Sequence, residues 1–364
     1  MKHRWTHISA AANPQPFTNP QPHTAPRSLT SPRARANPKP RLTCNHLLSR
    51  RSALTLLGAS SAATIASLAA CSPRDSAANS SSAQNQNSST PLVLTTFTVI
   101  QDMASRVAGE FCQVESITKA GAEIHDYEPT PDDLKRAQKA QLILNNGLGL
   151  ERWFERFVDD SPAQRADLSE GITAIPIAEG DYQGQANPHA WMSPTNGKIY
   201  VENIVRALSN LVPGHAKDFK ANGDAYKKEL DNISSHLIEE LSALPESQRT
   251  LVTCEGAFSY LCRDTNMKEL YLWAVNAADE GTPQQIAKVV ETVKAQQIPA
   301  VFCESTVSPK AMQQVADETG AVLKTDEKNI LYVDSLSEAD GPVPTYLDLL
   351  QHDADAIVSG LMGR

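Results

Sequence analysis

From residue 91 onward, the apolar residues of the chain fall in short runs, and several of these runs are followed by stretches with helical periodicity. Residues 91–99 predict a buried strand and residues 100–109 the helix after it. Residues 141–145 predict a second strand, which follows a helical stretch at 131–139, and residues 172–177 are a third strand candidate. Strands that alternate with helices are typical of a parallel sheet covered by helices.

The second half of the chain repeats this alternation. The pattern predicts strands at 251–254, 300–303, 321–323 and 330–333, with helices at 256–263 and 309–319. We therefore predict an α/β fold with two (βα) lobes rather than one continuous sheet.

A single amphipathic helix is predicted between the two halves, at residues 225–244. This segment lacks Gly and Pro, and its apolar residues recur at spacings of three and four: Tyr226, Leu230, Ile233, Leu237, Leu241 and Leu244. Twenty helical residues span roughly 30 Å, enough for a rigid connector. The predicted domains are an N-terminal lobe at 91–213, a connecting helix at 214–246 and a C-terminal lobe at 247–364.

Charge separates the beginning of the chain from the rest. Residues 1–70 contain nine Lys and Arg but no Asp or Glu, which leaves 24 basic and 42 acidic residues afterwards, a formal charge of −18. Such an acidic body argues against binding to nucleic acid. A basic segment that ends so abruptly is typical of a leader that is removed.

The junction predicts how the leader is removed. Arg50 and Arg51 precede an uncharged, modestly apolar run at 53–70, and the run ends in Leu-Ala-Ala-Cys71, the pattern of a lipobox. We predict a signal peptide at 1–70, cleavage before Cys71, lipidation of Cys71 and a flexible Ser- and Asn-rich tether at 71–90. A retained membrane anchor is the alternative, although the run is short and diluted by Ser, Thr and Gly. The paired arginines leave both the Tat and the Sec export routes open.

Four side chains at predicted strand ends or in nearby loops are candidate metal ligands: His125, His189, Glu255 and Asp334. In open α/β sheets, ligands bind outside the carboxyl ends of the strands. Two neutral imidazoles and two carboxylates would neutralise a divalent cation, so a complete site would leave no unpaired buried charge. Any one of these residues alone is more simply explained as a surface histidine or a helix cap.

Seven segments relate these four positions to a known family. They are GAEIHDYEPTPDDL, LILNNGLGLE, NPHAWMSPTNGKIYVENI, VTCEGAFSYL, VNAADEGTPQQI, VFCESTVSP and YVDSLS. Through them, residues 92–362 resemble the metal-binding lipoproteins of ABC transporters, the cluster A-I solute-binding proteins, and above all their manganese/iron branch.

The resemblance implies a site of His125, His189, Glu255 and Asp334 in the cleft between two lobes joined by a rigid helix. It further implies an extracytoplasmic, lipid-anchored monomer that binds Mn²⁺ or Fe²⁺ and passes the ion to a permease and its ATPase. The zinc branch usually has a third histidine where this chain has Glu255, and often a His-rich loop that is missing between His125 and His189. Zn²⁺ still remains possible as the ligand, because it binds such sites more tightly than Mn²⁺.

Two neighbouring residues are expected to support the site: Trp191 by packing the cleft floor, and Glu304 by hydrogen-bonding a ligand imidazole. Asp279 and Glu280 are expected on a surface loop near the cleft. Of the cysteines that follow Cys71, Cys254 and Cys303 each precede an acidic residue at a strand end, so a bond between them is one of several pairings that the spacing permits.

Three other functions compete with metal delivery. A zinc-specific binding protein of the same family would differ only in the ion, and a metal-stabilised adhesin need not exclude transport. A metallohydrolase would need a coordination position open to water. The chain lacks the His-Glu-x-x-His, nucleophile-elbow and phosphate-loop motifs of common hydrolases, so we do not predict an enzyme.

Overall fold

The computed structural model describes residues 90–158, 161–180, 182–275 and 281–363. The predicted leader, lipobox and tether lie outside these residues, as do Asp279 and Glu280. Within the described part, the chain forms two α/β lobes and a long helix that packs against both, so the predicted fold class is confirmed.

The N-terminal lobe has a four-stranded parallel sheet in the order β2-β1-β3-β4. Its strands are β1 (Leu92–Thr95), β2 (Gln113–Ser116), β3 (Leu142–Asn145) and β4 (Gln164–Asp167). The two central strands are apolar and were predicted, although β1 ends four residues earlier than expected. The edge strands, β2 and β4, have the polar sequences QVES and QRAD, so hydrophobic periodicity did not reveal them.

Four helices cover this sheet: α1 (Thr98–Ala108), α2 (Pro131–Lys139), α3 (Arg152–Val158) and α4 (Pro194–Leu211). Local sequence explains where α2 begins. The Thr130 hydroxyl accepts a hydrogen bond from the backbone N–H of Asp133, the Asp133 side chain accepts from the backbone N–H of Thr130, and Pro131 occupies the first turn. This cap ends the loop that carries His125.

The strand predicted at 172–177 is wrong. Only Pro176 takes part in a β-bridge, an isolated antiparallel pair with Ala186. Proline lacks the N–H that a strand ladder requires, and residues 175–187 instead fold back on themselves through hydrogen bonds such as Ile177 N to Gln185 O.

The C-terminal lobe contains two parallel strand pairs, β5 with β6 and β7 with β8. Its elements are β5 (Thr250–Glu255), α6 (Ser259–Thr265), β6 (Lys268–Trp273), α7 (Pro283–Gln296), β7 (Ala300–Phe302), α8 (Lys310–Thr319), β8 (Val322–Lys324) and α9 (Tyr346–Leu361). The strand predicted at 330–333 is reduced to one bridge between Leu331 and Glu304. A disulfide joins Cys254 to Cys303, while Cys112 and Cys262 are free and buried.

The connecting helix, α5 (Ala216–Ala243), has 28 residues and is therefore about 42 Å long. It begins nine residues before the predicted start, because Asn222 and Gly223 interrupt the pattern that marks a helix. Gly223 allows close packing, since a Cβ atom there would lie 2.4 Å from a methyl group of Val205 on α4. Helix α5 packs against α1 and α4 of the N-terminal lobe and against α6 and α9 of the C-terminal lobe, so it contacts both lobes.

A buried carboxylate, Glu151, holds together two loops at the carboxyl edge of the N-terminal sheet. It accepts hydrogen bonds from the Thr96 hydroxyl (2.9 Å) and from the backbone N–H groups of Asn146 (2.5 Å) and Gly147 (3.1 Å). The Asn146 side chain in turn donates to the carbonyl of Pro188, at 3.0 Å, next to His189. Burial raises the pKa of Glu151 to about 7, even though these hydrogen bonds lower it.

This raised pKa predicts a pH dependence of stability. The folded state holds the Glu151 proton more tightly than the unfolded chain, whose pKa is near 4.5. The stability contributed by the protonated group is therefore complete below pH 4.5 and is lost as the pH rises to 7 and above. At about 1.4 kcal/mol per pKa unit the loss approaches about 3 kcal/mol.

Urea unfolding of wild type and Glu151→Gln at pH 5 and pH 8 tests this expectation. The free energy of unfolding should fall less between the two pH values in the variant than in wild type. Glu155→Gln, an exposed residue on α3, is the matched control and should keep the wild-type slope. Equal slopes for all three proteins would contradict the assignment to Glu151.

Candidate metal centre

The structure brings the four candidate ligands together, although they come from four separate segments. His125 lies in the loop between β2 and α2, His189 precedes a single 3-10 turn (Ala190–Met192), and Glu255 ends β5. Asp334 follows the Leu331 bridge. One nitrogen or oxygen atom from each residue lies within 4.8 Å of all the others. None of the four side chains is more than 4% exposed.

The distances fit a single ion. The two Nε2 atoms are 3.1 Å apart, and they lie 3.3 Å (His125) and 3.7 Å (His189) from Oε1 of Glu255. Oδ1 of Asp334 lies 3.9 Å and 4.0 Å from the same two nitrogens. Ligand atoms at about 2.0–2.2 Å from a metal lie roughly 3.3–3.6 Å apart in a tetrahedral shell. Movements of a few tenths of an ångström would therefore complete such a shell.

Both imidazoles are held in the neutral form that a metal requires. Burial lowers the pKa of His125 to about 4. It also lowers the pKa of His189 well below its usual value, with a smaller effect from the neighbouring His125. A neutral imidazole keeps a lone pair on one ring nitrogen, so neither ring has to lose a proton at neutral pH before it can coordinate.

Asn187 determines which nitrogen of His189 carries that lone pair. Its side-chain oxygen lies 2.9 Å from Nδ1 of His189 and accepts the proton there, which leaves the lone pair on Nε2, facing the other ligands. The amide of Asn187 is fixed in this orientation, because its nitrogen donates to the Gly256 carbonyl at 2.6 Å and to the Ser259 hydroxyl at 3.2 Å. Gly256 follows Glu255, so Asn187 connects a ligand of one lobe with a ligand segment of the other.

The carboxylate of Asp334 is fully buried and only half satisfied. Its Oδ2 accepts a hydrogen bond from the Thr306 hydroxyl at 3.1 Å, whereas Oδ1, the atom nearest the imidazoles, has no hydrogen-bond partner among the residues that the structure describes. Burial raises the pKa of Asp334 well above its usual value, and the negative charge of Glu123 adds to the effect. Oδ1 of Asp334 and the lone pairs of the two imidazoles face the same point. A cation at that point would be strongly stabilised.

Trp191 packs beside His189. It is fully buried, its ring centroid is 5.2 Å from that of His189, and its indole N–H donates to the Val333 carbonyl at 2.9 Å. Because Val333 precedes Asp334, this bond also runs from one lobe to the other.

The expected contact between Glu304 and a ligand imidazole is not the one that forms. Both Glu304 oxygens instead lie 3.3 Å from the backbone nitrogen of Glu255 and accept its hydrogen bond. Glu304 lies two residues beyond β7, which packs beside β5, so its side chain lies beside the backbone of β5. Glu304 therefore supports the Glu255 backbone.

Sequence reasoning missed the contributions of Asn187, Thr306 and Glu123. Glu123 accepts the backbone N–H of His125 at 2.7 Å and so shapes the loop that presents this ring. The only sequence signal for Asn187 was its position two residues before His189. That signal is weak, because a short polar side chain in a loop often bonds to nearby backbone groups rather than to another side chain. Thr306 lies 28 residues from Asp334, and local sequence carries no sign of that contact.

Comparison with known proteins places this geometry in a family. Residues 93–360 match the family model described as zinc-uptake complex component A, periplasmic. The iron-binding protein YfeA of Yersinia pestis is 52% identical over 271 residues, which cover 74% of this chain and 85% of the relative. The manganese-binding lipoprotein MntA of Halalkalibacterium halodurans is 34% identical over 270 residues, 74% of this chain and 88% of the relative.

Solved structures agree with these relatives. The manganese-bound periplasmic metal-binding protein of Candidatus Liberibacter asiaticus superposes with a TM-score of 0.69 at 36% identity, covering 74% of this chain and 99% of that one. The periplasmic zinc-binding protein TroA of Treponema pallidum gives a TM-score of 0.69 at 26% identity over 75% of this chain and 99% of that one. The predicted resemblance is thus confirmed, and the chain belongs to the family of metal-binding solute-binding proteins that contains the periplasmic component A of zinc-uptake complexes.

Proposed function

We propose that the protein captures Mn²⁺ or Fe²⁺ outside the cytoplasm, as the binding component of an ABC importer, with His125, His189, Glu255 and Asp334 as the metal ligands. The observation that carries this proposal is the convergence of four buried donors, two from each lobe, on one point. An ion held there would tie the lobes together, and separation of the lobes would release it. Relatives named for iron and manganese binding support the choice of cargo.

The donor set favours Mn²⁺ and Fe²⁺ over softer ions, because two carboxylate oxygens are harder ligands than thiolates or additional imidazoles. Both carboxylates have a second oxygen, so the site can raise its coordination number above four without a further residue. Zn²⁺ would still bind tightly. Specificity for manganese or iron would then have to arise from geometry, from metal supply or from the ease of release.

The proposed partners are a membrane permease and, through it, an ATPase, with the protein acting as a monomer. The proposed domains are the lobes at 91–213 and 247–364, joined by the connector at 214–246. A rigid connector of this kind would keep lobe movements small. Release of the ion would then take place through a small separation between the two ligands of one lobe and the two ligands of the other. Binding to nucleic acid is not proposed, in view of the acidic body.

We also propose that Cys71 carries lipid and anchors the protein at the extracytoplasmic face of the cell membrane, with residues 72–90 as the tether. Relatives with the word lipoprotein in their names support this localisation. Within the described ranges, every helix is too short or too polar to span a membrane. A tether of nineteen residues would allow the body to move roughly 25 Å from the lipid.

The proposal does not include catalysis. Four protein donors that converge on one ion resemble a closed site, whereas a hydrolytic metal centre keeps a position open for water. An adhesive role would use the outer surface of the protein and is compatible with metal binding.

Metal binding should raise the melting temperature of the purified protein. After chelation, Mn²⁺ or anaerobic Fe²⁺ at a hundredfold excess over Kd should stabilise the fold by about 2.7 kcal/mol, or about 5–10 °C. His189→Ala and Glu255→Ala should abolish this shift. His236→Ala, which removes an exposed histidine on α5, should retain it, and Ca²⁺ should cause little change. A shift with Zn²⁺ alone would assign the protein to the zinc-specific alternative, and no shift with any of these ions would refute the proposal.

Removal of the Asn187 amide should weaken binding without removing a ligand. Since Asn187 fixes the tautomer and orientation of His189, Asn187→Ala should raise the Kd for Mn²⁺ by about 10- to 100-fold in isothermal titration calorimetry. Asn203→Ala is the matched control, because that buried amide donates to the carbonyls of Leu168 and Glu170 instead. An unchanged Kd for Asn187→Ala would show that the tautomer is fixed by other means.

Lipidation of Cys71 should be required for membrane association. In cells fed a radiolabelled fatty acid, wild type should carry label and sediment with membranes, whereas Cys71→Ser should do neither. Cys44→Ser, in the proposed leader, should behave as wild type. If Cys71→Ser still sediments with membranes but without label, the retained membrane anchor becomes the preferred interpretation.

A further inference from the structure

The hydroxyls of Thr98 and Ser335 meet across the boundary between the lobes. Thr98 begins α1 of the N-terminal lobe, Ser335 directly follows Asp334 in the C-terminal lobe, and the two hydroxyl oxygens are 3.3 Å apart. Thr98 is 8% exposed and Ser335 is 1% exposed. Both hydroxyls are therefore removed from water while the lobes are in contact.

Each hydroxyl also bonds to backbone groups. The N–H of Leu336 donates to the Thr98 hydroxyl at 2.9 Å, and the N–H of Gly121 donates to the Ser335 hydroxyl at 2.6 Å. The Ser335 hydroxyl donates in turn to the Leu336 carbonyl at 3.0 Å. A hydroxyl has one proton to donate and two lone pairs, so Thr98 donates its proton to Ser335 and every contact is satisfied. We call these four residues the hydroxyl network.

The hydroxyl network joins the segments that carry two of the proposed ligands. Gly121 lies four residues before His125, in the same loop, and Ser335 is the residue after Asp334. The bond between Gly121 and Ser335 therefore links a ligand segment of one lobe to a ligand segment of the other. A movement that carried Asp334 away from His125 with its lobe would have to break this bond.

Helix α1 makes a second contact with the C-terminal lobe, beside the connector. Asp102 lies four residues after Thr98 and so on the same face of α1. Its carboxylate accepts the backbone N–H of Tyr346 at 3.0 Å and the hydroxyl of Tyr226, on α5, at 3.4 Å. A rotation of the lobes about α5 would move this contact least. The hydroxyl network adjoins the ligands, so it is the part of this interface that such a rotation would open.

We propose that Thr98 and Ser335 are positioning residues that hold the Asp334 segment against the His125 loop and thereby set how long the ion stays bound. The inference rests on the function proposed above. When the lobes separate, water can bond to the same hydroxyls and backbone groups, so the network favours the closed arrangement only modestly. A modest contribution suits a carrier, because the ion has to be held until delivery and then released.

Removal of either hydroxyl should speed the release of Mn²⁺ without slowing its capture. In Thr98→Val and Ser335→Ala, a backbone N–H loses its acceptor when the lobes are in contact, but water can replace that acceptor when they separate. The rate of release, measured by stopped-flow chelator trapping, should rise about 3- to 10-fold. The rate of association should stay within about twofold of wild type. Thr98→Ser keeps the hydroxyl and should release Mn²⁺ at the wild-type rate.

Hydrogen exchange of two backbone amides reports on the hydroxyl network directly. In Mn²⁺-loaded wild type, the amides of Gly121 and Leu336 should be protected and should exchange at similar rates, because one opening movement exposes both. Both should exchange faster in Thr98→Val and Ser335→Ala. The amide of Ile143, in the central strand β3, should exchange as in wild type.

A matched control separates positioning from a general loss of stability. Thr265 has a buried hydroxyl that donates to the Leu261 carbonyl at 2.8 Å within the C-terminal lobe. Thr265→Val should therefore leave the release rate and the exchange of both network amides unchanged, even where it lowers the melting temperature. The inference is overturned if Thr98→Val and Ser335→Ala release Mn²⁺ at the wild-type rate, or if Thr265→Val releases it as fast as they do. Failure of wild type itself to bind Mn²⁺ would instead refute the proposed function.

Discussion

The structure depends on the burial of several carboxylates at one point between the lobes. Glu255 and Asp334 face two histidines whose burial keeps them uncharged, and Glu304 lies directly behind Glu255. Burying negative charge is unfavourable without a compensating cation. The metal ion of the proposed function would supply that cation. Release of the ion would leave the buried carboxylates without a cation again. The same electrostatic energy would therefore favour capture and oppose release.

The fold supports this arrangement by fixing the loops of each lobe and by joining the lobes through hydrogen bonds beside the site. In the N-terminal lobe, Glu151 and Asn146 hold the loops at the sheet edge, and Asn146 reaches the backbone beside His189. Between the lobes, bonds from Asn187 to Gly256 and from Trp191 to Val333 end next to the ligands. Because these contacts adjoin the site, a small change in lobe separation would alter the metal geometry directly. Helix α5, which packs on both lobes, restricts how large that change can be.

The C-terminal lobe differs from the N-terminal lobe, since both of its proposed ligands, Glu255 and Asp334, are carboxylates. Residues 303–306 contact both of them: Cys303 forms a disulfide with Cys254, next to Glu255, Glu304 accepts the backbone N–H of Glu255, and the Thr306 hydroxyl donates to Asp334. One short segment therefore holds both the backbone of Glu255 and the side chain of Asp334.

The sequence by itself determined the elements whose burial is encoded locally. The apolar central strands β1 and β3, the amphipathic part of α5 and the four ligand types in their loops all follow from side-chain periodicity and position. Family resemblance then predicted which four residues would meet. Edge strands such as β2 were missed, because a strand that is exposed at one edge can be polar throughout. The roles of Asn187, Thr306 and Glu304 were decided only by tertiary structure. Each role depends on a partner in another segment of the fold or on the orientation of a short polar side chain. The local hydrophobic pattern contains no information about either of these.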